Sequence, residues 1–187
     1  AAGKTKPKVL FIITDQQHFD TIAAAGCSHV RTPAMDRLVK AGTRFSMSYS
    51  TNPVCSPARS SMFTGRPTCE TGVYKNGLSI RKTMPNIGEW LGSEAGYECV
   101  YAGKWHLPAT HTMQMRGFRV LTTALGGQGN IGDAFTSRAC AGYLKNRSKE
   151  KPFCMVASFM QPHDICEWLR LNSNHLDHLP YPELRDQ

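Results

Sequence analysis

Cys55 and Arg59 stand four residues apart in the stretch TNPVCSPARSSMFTGR, residues 51–66. On a helix that interval places a thiol and a guanidinium one turn apart on one face. Local signals put the start of such a helix here: Pro57 suits a first helical position, Ser56 can cap it and Gly65 can end it. The unpaired amides of a first turn attract anions, so a cysteine held there lies against positive charge and its thiolate form is favoured. Arg59 adds a planar fork that matches a tetrahedral oxyanion. Taken alone, a cysteine is more often a small buried hydrophobe, and a Cys–Arg interval is a weak signal. Three more groups could join the chemistry: Asp15 with Gln16, Lys104 and His106 within GKWHL, and His163 within PHD.

Each of these groups follows an apolar run that reads as a strand. Val9 to Ile13 is continuous and apolar, as in a buried parallel strand, and puts Asp15 just past its carboxyl end. Cys99 to Ala102 leads into Lys104 and His106, and Phe153 to Phe159 exits through Met160-Gln161-Pro162 to His163. Helical spacing separates the strands. Thr32-Pro33 opens a helix with Met35, Leu38 and Val39 on one face, Ile87, Trp90 and Leu91 mark a second, and Phe135 to Leu144 a third. A further strand is predicted at Arg44 to Tyr49, and a short one at Arg119 to Leu121 within a loop-like stretch from 108 to 132. Alternation of strand and helix implies an α/β protein with a mainly parallel sheet. Such sheets bind ligands at the carboxyl ends of their strands, where all the polar clusters fall.

A chain of 187 residues with 41% hydrophobic and 19% charged residues can bury a sizeable core in one domain. Its net charge of +8 suits anionic ligands. The basic residues are scattered, with no zinc-finger spacing and no aromatic platform, so nucleic acid is not the expected partner. No apolar run is long enough to cross a membrane, so none is expected there either. Seven cysteines without a CxxC pair argue against a thiolate metal cluster, and Cys99 and Cys154, inside apolar runs, read as buried thiols. Asn146-Arg147-Ser148 fits a glycosylation acceptor, a triplet too common to carry weight. The amino end AAGKTKPK is what cleavage at a small-residue site would leave, which favours a periplasmic or secreted location over the cytoplasm.

Cys-x-Pro-x-Arg followed by Thr-Gly-Arg, over Cys55 to Arg66, resembles the signature of the type I sulfatases of the alkaline-phosphatase-like superfamily. The resemblance implies an α/β sandwich with a mainly parallel central sheet, and a sulfuric ester hydrolase. It also implies that Cys55 is oxidised to formylglycine by a formylglycine-generating enzyme and becomes the nucleophile. GKWHL resembles the second sulfatase motif, in which Lys104 and His106 hold the sulfate ester and assist the leaving oxygen. His163 resembles a third, substrate-contacting position, and Arg59 steadies nucleophile and charge. Asp15, Gln16 and the modified Cys55 are the implied ligands of a divalent metal, with Ca²⁺ first and Mg²⁺ or Mn²⁺ close behind, as oxygen donors favour hard cations. The implied substrate is a small-molecule or saccharide sulfate ester.

The chain departs from the family pattern at defined places. Ala58 stands where most members have serine, and Gln16 where many have a second aspartate. An Asp-Asn or Asp-His metal pair and another lysine, which members carry after the third histidine, are not matched; His175, Asp177 and His178 read instead as a solvated segment. Residues 1–187 are therefore expected to be the amino-terminal part of a sulfatase catalytic domain, inactive in isolation. The same residues would serve a phosphonate monoester or phosphodiester hydrolase, and a non-catalytic anion-binding fragment is the non-enzymatic alternative.

Overall fold

Four strands carry the site-bearing ends of the chain: β1 (Val9–Asp15), β2 (Glu98–Gly103), β3 (Arg119–Thr123) and β4 (Phe153–Pro162). They are seen in a computed structural model that describes residues 6–107, 115–123 and 132–171. All pairings are parallel, in the order β1-β4-β2-β3. β4 thus lies between strands that precede it in sequence. The chain divides into two units, one formed by Ala1–Asp15, Asn86–Trp105 and Thr110–Gln187, the other by Gln16–Pro85 and His106–Ala109.

The sheet unit explains its own order. Central strands β2 and β4 are buried from Cys99 to Gly103 and from Phe153 to Ser158, which is why they read as unbroken apolar runs. One face of the sheet packs Val100, Ala102, Met155 and Ala157 against Cys140 and Tyr143 of a helix, Gly132–Asn146. On the other face Tyr101 meets Trp105 and Phe118 edge-on, with ring centroids 5.2 and 5.7 Å apart. Glu98, at the amino end of β2, accepts from Arg119 at 2.6 Å and from the Tyr143 hydroxyl at 2.9 Å. Burial pushes the Glu98 pKa up, but these bonds and the charges of Arg119 and Arg147 outweigh it and hold the carboxyl below its ordinary value. Tyr143 is pushed up to about 12, by burial first and then by its bond to Glu98.

In chain order the helices are α1 (Pro33–Ala41), α2 (Cys55–Thr64), the short α3 (Thr68–Thr71), α4 (Ile87–Ser93), α5 (Gly132–Asn146) and α6 (Ile165–Leu171). α4 starts in a capping box: the Asn86 side-chain oxygen accepts from Gly88 and Glu89 amides at 2.8 and 3.2 Å, and the Glu89 carboxylate accepts the Asn86 amide at 3.0 Å. Asn86 also donates to the Arg116 carbonyl at 3.1 Å. Asn86→Ala is therefore expected to destabilise the sheet unit by about 2 kcal/mol, read as a lower urea midpoint at unchanged slope. A midpoint equal to that of the parent would rule out a structural role for the cap.

Several sequence expectations need correction. The stretch Arg44 to Tyr49 forms no strand, because no neighbouring strand among the described residues offers it a ladder. The apolar positions of α1 and α4 are only partly covered, with Leu38, Ile87 and Trp90 exposed. β1 runs through Asp15, two residues beyond the apolar run, after a register shift that pairs Asp15 with Pro162. The buried thiols agree with the sequence: Cys99 is pushed up to about 11 by burial first and by its neighbour Cys154, and burial also raises Cys140 and Cys154. Much of the stretch from 108 to 132, and His175, Asp177 and His178, lie outside the described residues.

Candidate functional site

α2 begins at Cys55 itself, two residues earlier than its sequence suggests. Val54 is the cap residue, extended at φ −108° and ψ 144°, and makes no side-chain cap bond. Ser56 is already inside the first turn and works differently: its amide donates to the Asn76 side-chain oxygen at 2.9 Å, and its hydroxyl donates to the His106 carbonyl. Pro57, in the same turn, lacks an amide that would otherwise need a partner. Cys55, half-buried, thus stands at the positive end of a ten-residue helix.

The interior of α2 is unusually polar for a buried helix, and hydrogen bonds account for that. Ser60 is fully buried; its hydroxyl donates to the Pro57 carbonyl at 2.8 Å and pairs with the Thr71 hydroxyl at 2.9 Å. Arg59 is 3% exposed, one turn beyond Cys55, and Phe63 anchors the next turn. A guanidinium so far out of water is held there by partners, not left as a surface charge. Gly65 ends the helix at φ +67°, and its amide bonds to the Ser61 carbonyl at 2.8 Å, as the sequence indicated. His106 belongs to this unit as well and sits at φ +58°, a conformation uncommon outside glycine.

In the sheet unit the carboxyl ends of β1 and β2 bring Asp15 and Lys104 together. Lys104 Nζ lies 2.9 Å from Asp15 Oδ2, and both side chains are 6% exposed. The Lys104 backbone is fixed at both polar groups: its amide donates to the Ser158 carbonyl at 2.9 Å, and its carbonyl accepts the Tyr101 hydroxyl at 2.6 Å. Gly103 makes the turn possible. It sits at φ +96°, and a Cβ there would lie 1.9 Å from the Ser158 carbonyl oxygen. Gln16, directly after Asp15, takes φ +59°.

His163 follows β4, half-buried, its amide bonded to the Met160 carbonyl at 3.0 Å. The exit that carries it is pinned by Asp133 of α5, whose carboxylate accepts the Met160 and Gln161 amides at 2.7 and 2.9 Å. Asp133 and Asn76 are positioning residues that sequence reasoning missed. Asp133 could have been noticed as an acid in the first turn of a helix; Asn76, in a loop twenty residues from its partner, gave no signal.

The sulfatase family model matches residues 7–172, through both signature stretches and all four strands. This chain belongs to the sulfatase family. It is 31% identical over 164 residues to the ulvan-active sulfatase of Formosa agariphila, covering 87% of this chain and 32% of that sulfatase. A solved 2-O GAG sulfatase superposes with a TM-score of 0.76 at 26% identity, over 90% of this chain and 38% of the other. A protein solved in complex with its substrate D-glucosamine-2-N,6-O-disulfate also gives 0.76 at 26%, over 95% and 39%. The parallel sheet and flanking helices are thus the alkaline-phosphatase-like arrangement of the solved sulfatases. This sulfatase chain spans about a third of the curated relative's length.

Proposed function

We propose that this chain supplies the nucleophile-bearing part of a sulfuric ester hydrolase that releases sulfate from a sulfated saccharide. The observation that carries the reading is Cys55 at the first turn of α2 with a buried Arg59 one turn on, in a sequence that matches the sulfatase family. The saccharide is supported by relatives named for ulvan and glycosaminoglycan, and by the amino-sugar disulfate bound in a similar structure.

Each residue has a role that its surroundings support. A thiolate attacking sulfur would leave a stable bond with no internal way out, so oxidation of Cys55 by a formylglycine-generating enzyme is the expected preparation. The hydrated aldehyde supplies two hydroxyls on one carbon, one to attack and one to expel sulfate. Arg59, immobilised by burial, holds negative charge beside that carbon with a rigid fork. Lys104, with its backbone tied at both ends, offers its ammonium to the sulfate ester, and His106 and His163 complete substrate binding and proton transfer to the leaving oxygen. Asp15 and Gln16 are oxygen donors of the type a hard divalent cation takes, and a cation on Asp15 would compete with the Lys104 ammonium that lies 2.9 Å from its carboxylate. Ca²⁺, or else Mg²⁺ or Mn²⁺, bound there would supply further positive charge for the sulfuryl group.

The test is peptide mass spectrometry of the protein made together with a formylglycine-generating enzyme, paired with rates on nitrophenyl sulfate and nitrophenyl phosphonate esters for a longer natural version. An aldehyde at position 55 and preference for the sulfate ester are expected. An active enzyme with an intact thiol would refute the nucleophile, and preference for the phosphonate would move the activity to a phosphonate hydrolase. Within this reading Arg59→Lys keeps the charge but loses the fork, and turnover is expected to fall about a hundredfold.

A further inference from the structure

Residues 72–80 form a loop beside the first turn of α2. Its ends meet where the Arg81 amide donates to the Thr71 carbonyl at 3.3 Å, and its middle is fixed by Asn76, whose side-chain oxygen accepts the Ser56 amide at 2.9 Å. The base is equally fixed: the Thr71 hydroxyl pairs with that of Ser60 in α2 at 2.9 Å, and Thr71 and Val73 are fully buried. Gly72 turns the chain at φ +78° and leaves room for the Arg81 side chain, because a Cβ there would lie 3.2 Å from Arg81 Nε. A short loop with bonded ends holds its shape by its own contacts. It carries Tyr74, 67% exposed, and the exposed Lys75 directly before Asn76. Among the described residues neither side chain has a hydrogen bond, ion pair or ring contact.

Ser56 is bonded to Cys55, so the Asn76 contact limits how far the loop stands from the nucleophile position. Bonded lengths put the Lys75 Cα no more than about 13 Å from that of Cys55, within the span of two joined sugar rings. The charge of the chain gathers in the same unit. Between Gln16 and Pro85 there are nine Lys and Arg against three Asp and Glu, whereas the rest of the chain carries thirteen against eleven. Residues 71–85 contribute Lys75, Arg81 and Lys82 and no acid. A field of that sign draws in polyanions, and a cation held beside the reacting position selects among them. Tyr74 adds a flat apolar face on which the C–H side of a sugar can stack, with a hydroxyl at its rim. We infer that Tyr74 and Lys75 form a subsite for the sugar unit next to the one that bears the reacting sulfate, and that this unit is itself negatively charged, by a carboxylate or a second sulfate. The subsite rests on the proposed reading of Cys55 as nucleophile toward a saccharide sulfate, and it narrows the saccharide to an acidic one.

Fluorescence anisotropy of a labelled heparin-derived tetrasaccharide, titrated with a longer natural version that carries Cys55→Ala so that no sulfate is released, tests it. Lys75→Met and Tyr74→Ala are each expected to weaken binding about fivefold or more at low ionic strength, and the Lys75 effect should shrink in about 0.5 M salt as charges are screened. Lys40→Met, which removes one exposed charge from α1 of the same unit, should change binding less than about twofold. All three replaced side chains are exposed, so the urea midpoints should match that of the parent. The neutral tetrasaccharide maltotetraose should not compete. Equal losses for Lys40→Met and Lys75→Met, or competition by maltotetraose as strong as by unlabelled heparin tetrasaccharide, overturns the subsite. Turnover of nitrophenyl sulfate by the enzyme with Cys55 intact separates this from the reading beneath it. Turnover together with tetrasaccharide binding indifferent to Tyr74 and Lys75 removes the subsite alone, whereas loop-dependent binding without turnover keeps the acidic ligand and removes the hydrolase.

Discussion

Lys104→Met should destabilise the sheet unit by about 3 kcal/mol, because it removes the ammonium that lies 2.9 Å from the buried Asp15 carboxylate. Methionine keeps most of the side chain's volume and apolar stem, so the loss reports charge more than packing. Urea unfolding should show a lower midpoint at unchanged slope. Asp15→Asn in the same background removes the buried carboxylate charge and should recover part of the loss, since the two residues are in direct contact and their effects are not additive. A cost below about 1 kcal/mol would mean that water reaches Asp15 and that the pair behaves as a surface one. The variant also bears on the metal. If Asp15 is a cation ligand, its carboxylate freed of the ammonium should bind Ca²⁺ more tightly, and added Ca²⁺ should raise the melting temperature of Lys104→Met more than that of the parent. Equal shifts would count against Asp15 as a ligand.

How much of this was legible in the sequence depends on how local the causes were. β2 and the first six residues of β4 are buried on both faces, so continuous apolar runs announced them, while of the α5 positions read as one apolar face Cys140 and Tyr143 pack on the sheet and Phe135 and Leu144 are exposed. β1 was legible in its apolar half only. Its last two residues, Thr14 and Asp15, are polar and join the strand through pairing with β4, which is a long-range cause. The start of α2 was misplaced by two residues for a similar reason. Ser56 looked like a cap, but Asn76 and His106 occupy its amide and hydroxyl, and no local pattern names those partners. Lys104 and Asp15 were each recognised separately, yet their contact follows from β1 and β2 both pairing with β4, which spacing along the chain does not encode.

Cys55→Ser should abolish turnover of sulfate esters in a longer natural version of the enzyme and leave a covalent mark that Cys55→Ala does not. The argument is one of counting hydroxyls. A serine at the positive end of α2, with Arg59 a turn away, can still place one oxygen where an attacking group belongs. Attack would break the sulfur–oxygen bond to the alcohol, which leaves with a proton, and form a serine sulfate ester. No second hydroxyl stands on the same carbon, so nothing internal can expel the sulfate and regenerate the residue. Intact-mass measurement after incubation with nitrophenyl sulfate should therefore show protein heavier by one sulfuryl group for the serine variant and unchanged for alanine. Tryptic mapping should place the addition on the peptide that contains residue 55. The serine variant must also keep the parent's urea midpoint, because the side chain is half-buried and the change is small. Turnover within roughly tenfold of the parent would show that Cys55 is not the nucleophile precursor. An unmodified, inactive and fully folded serine variant would place the attacking oxygen elsewhere and remove the reason for reading α2 as the helix that carries it.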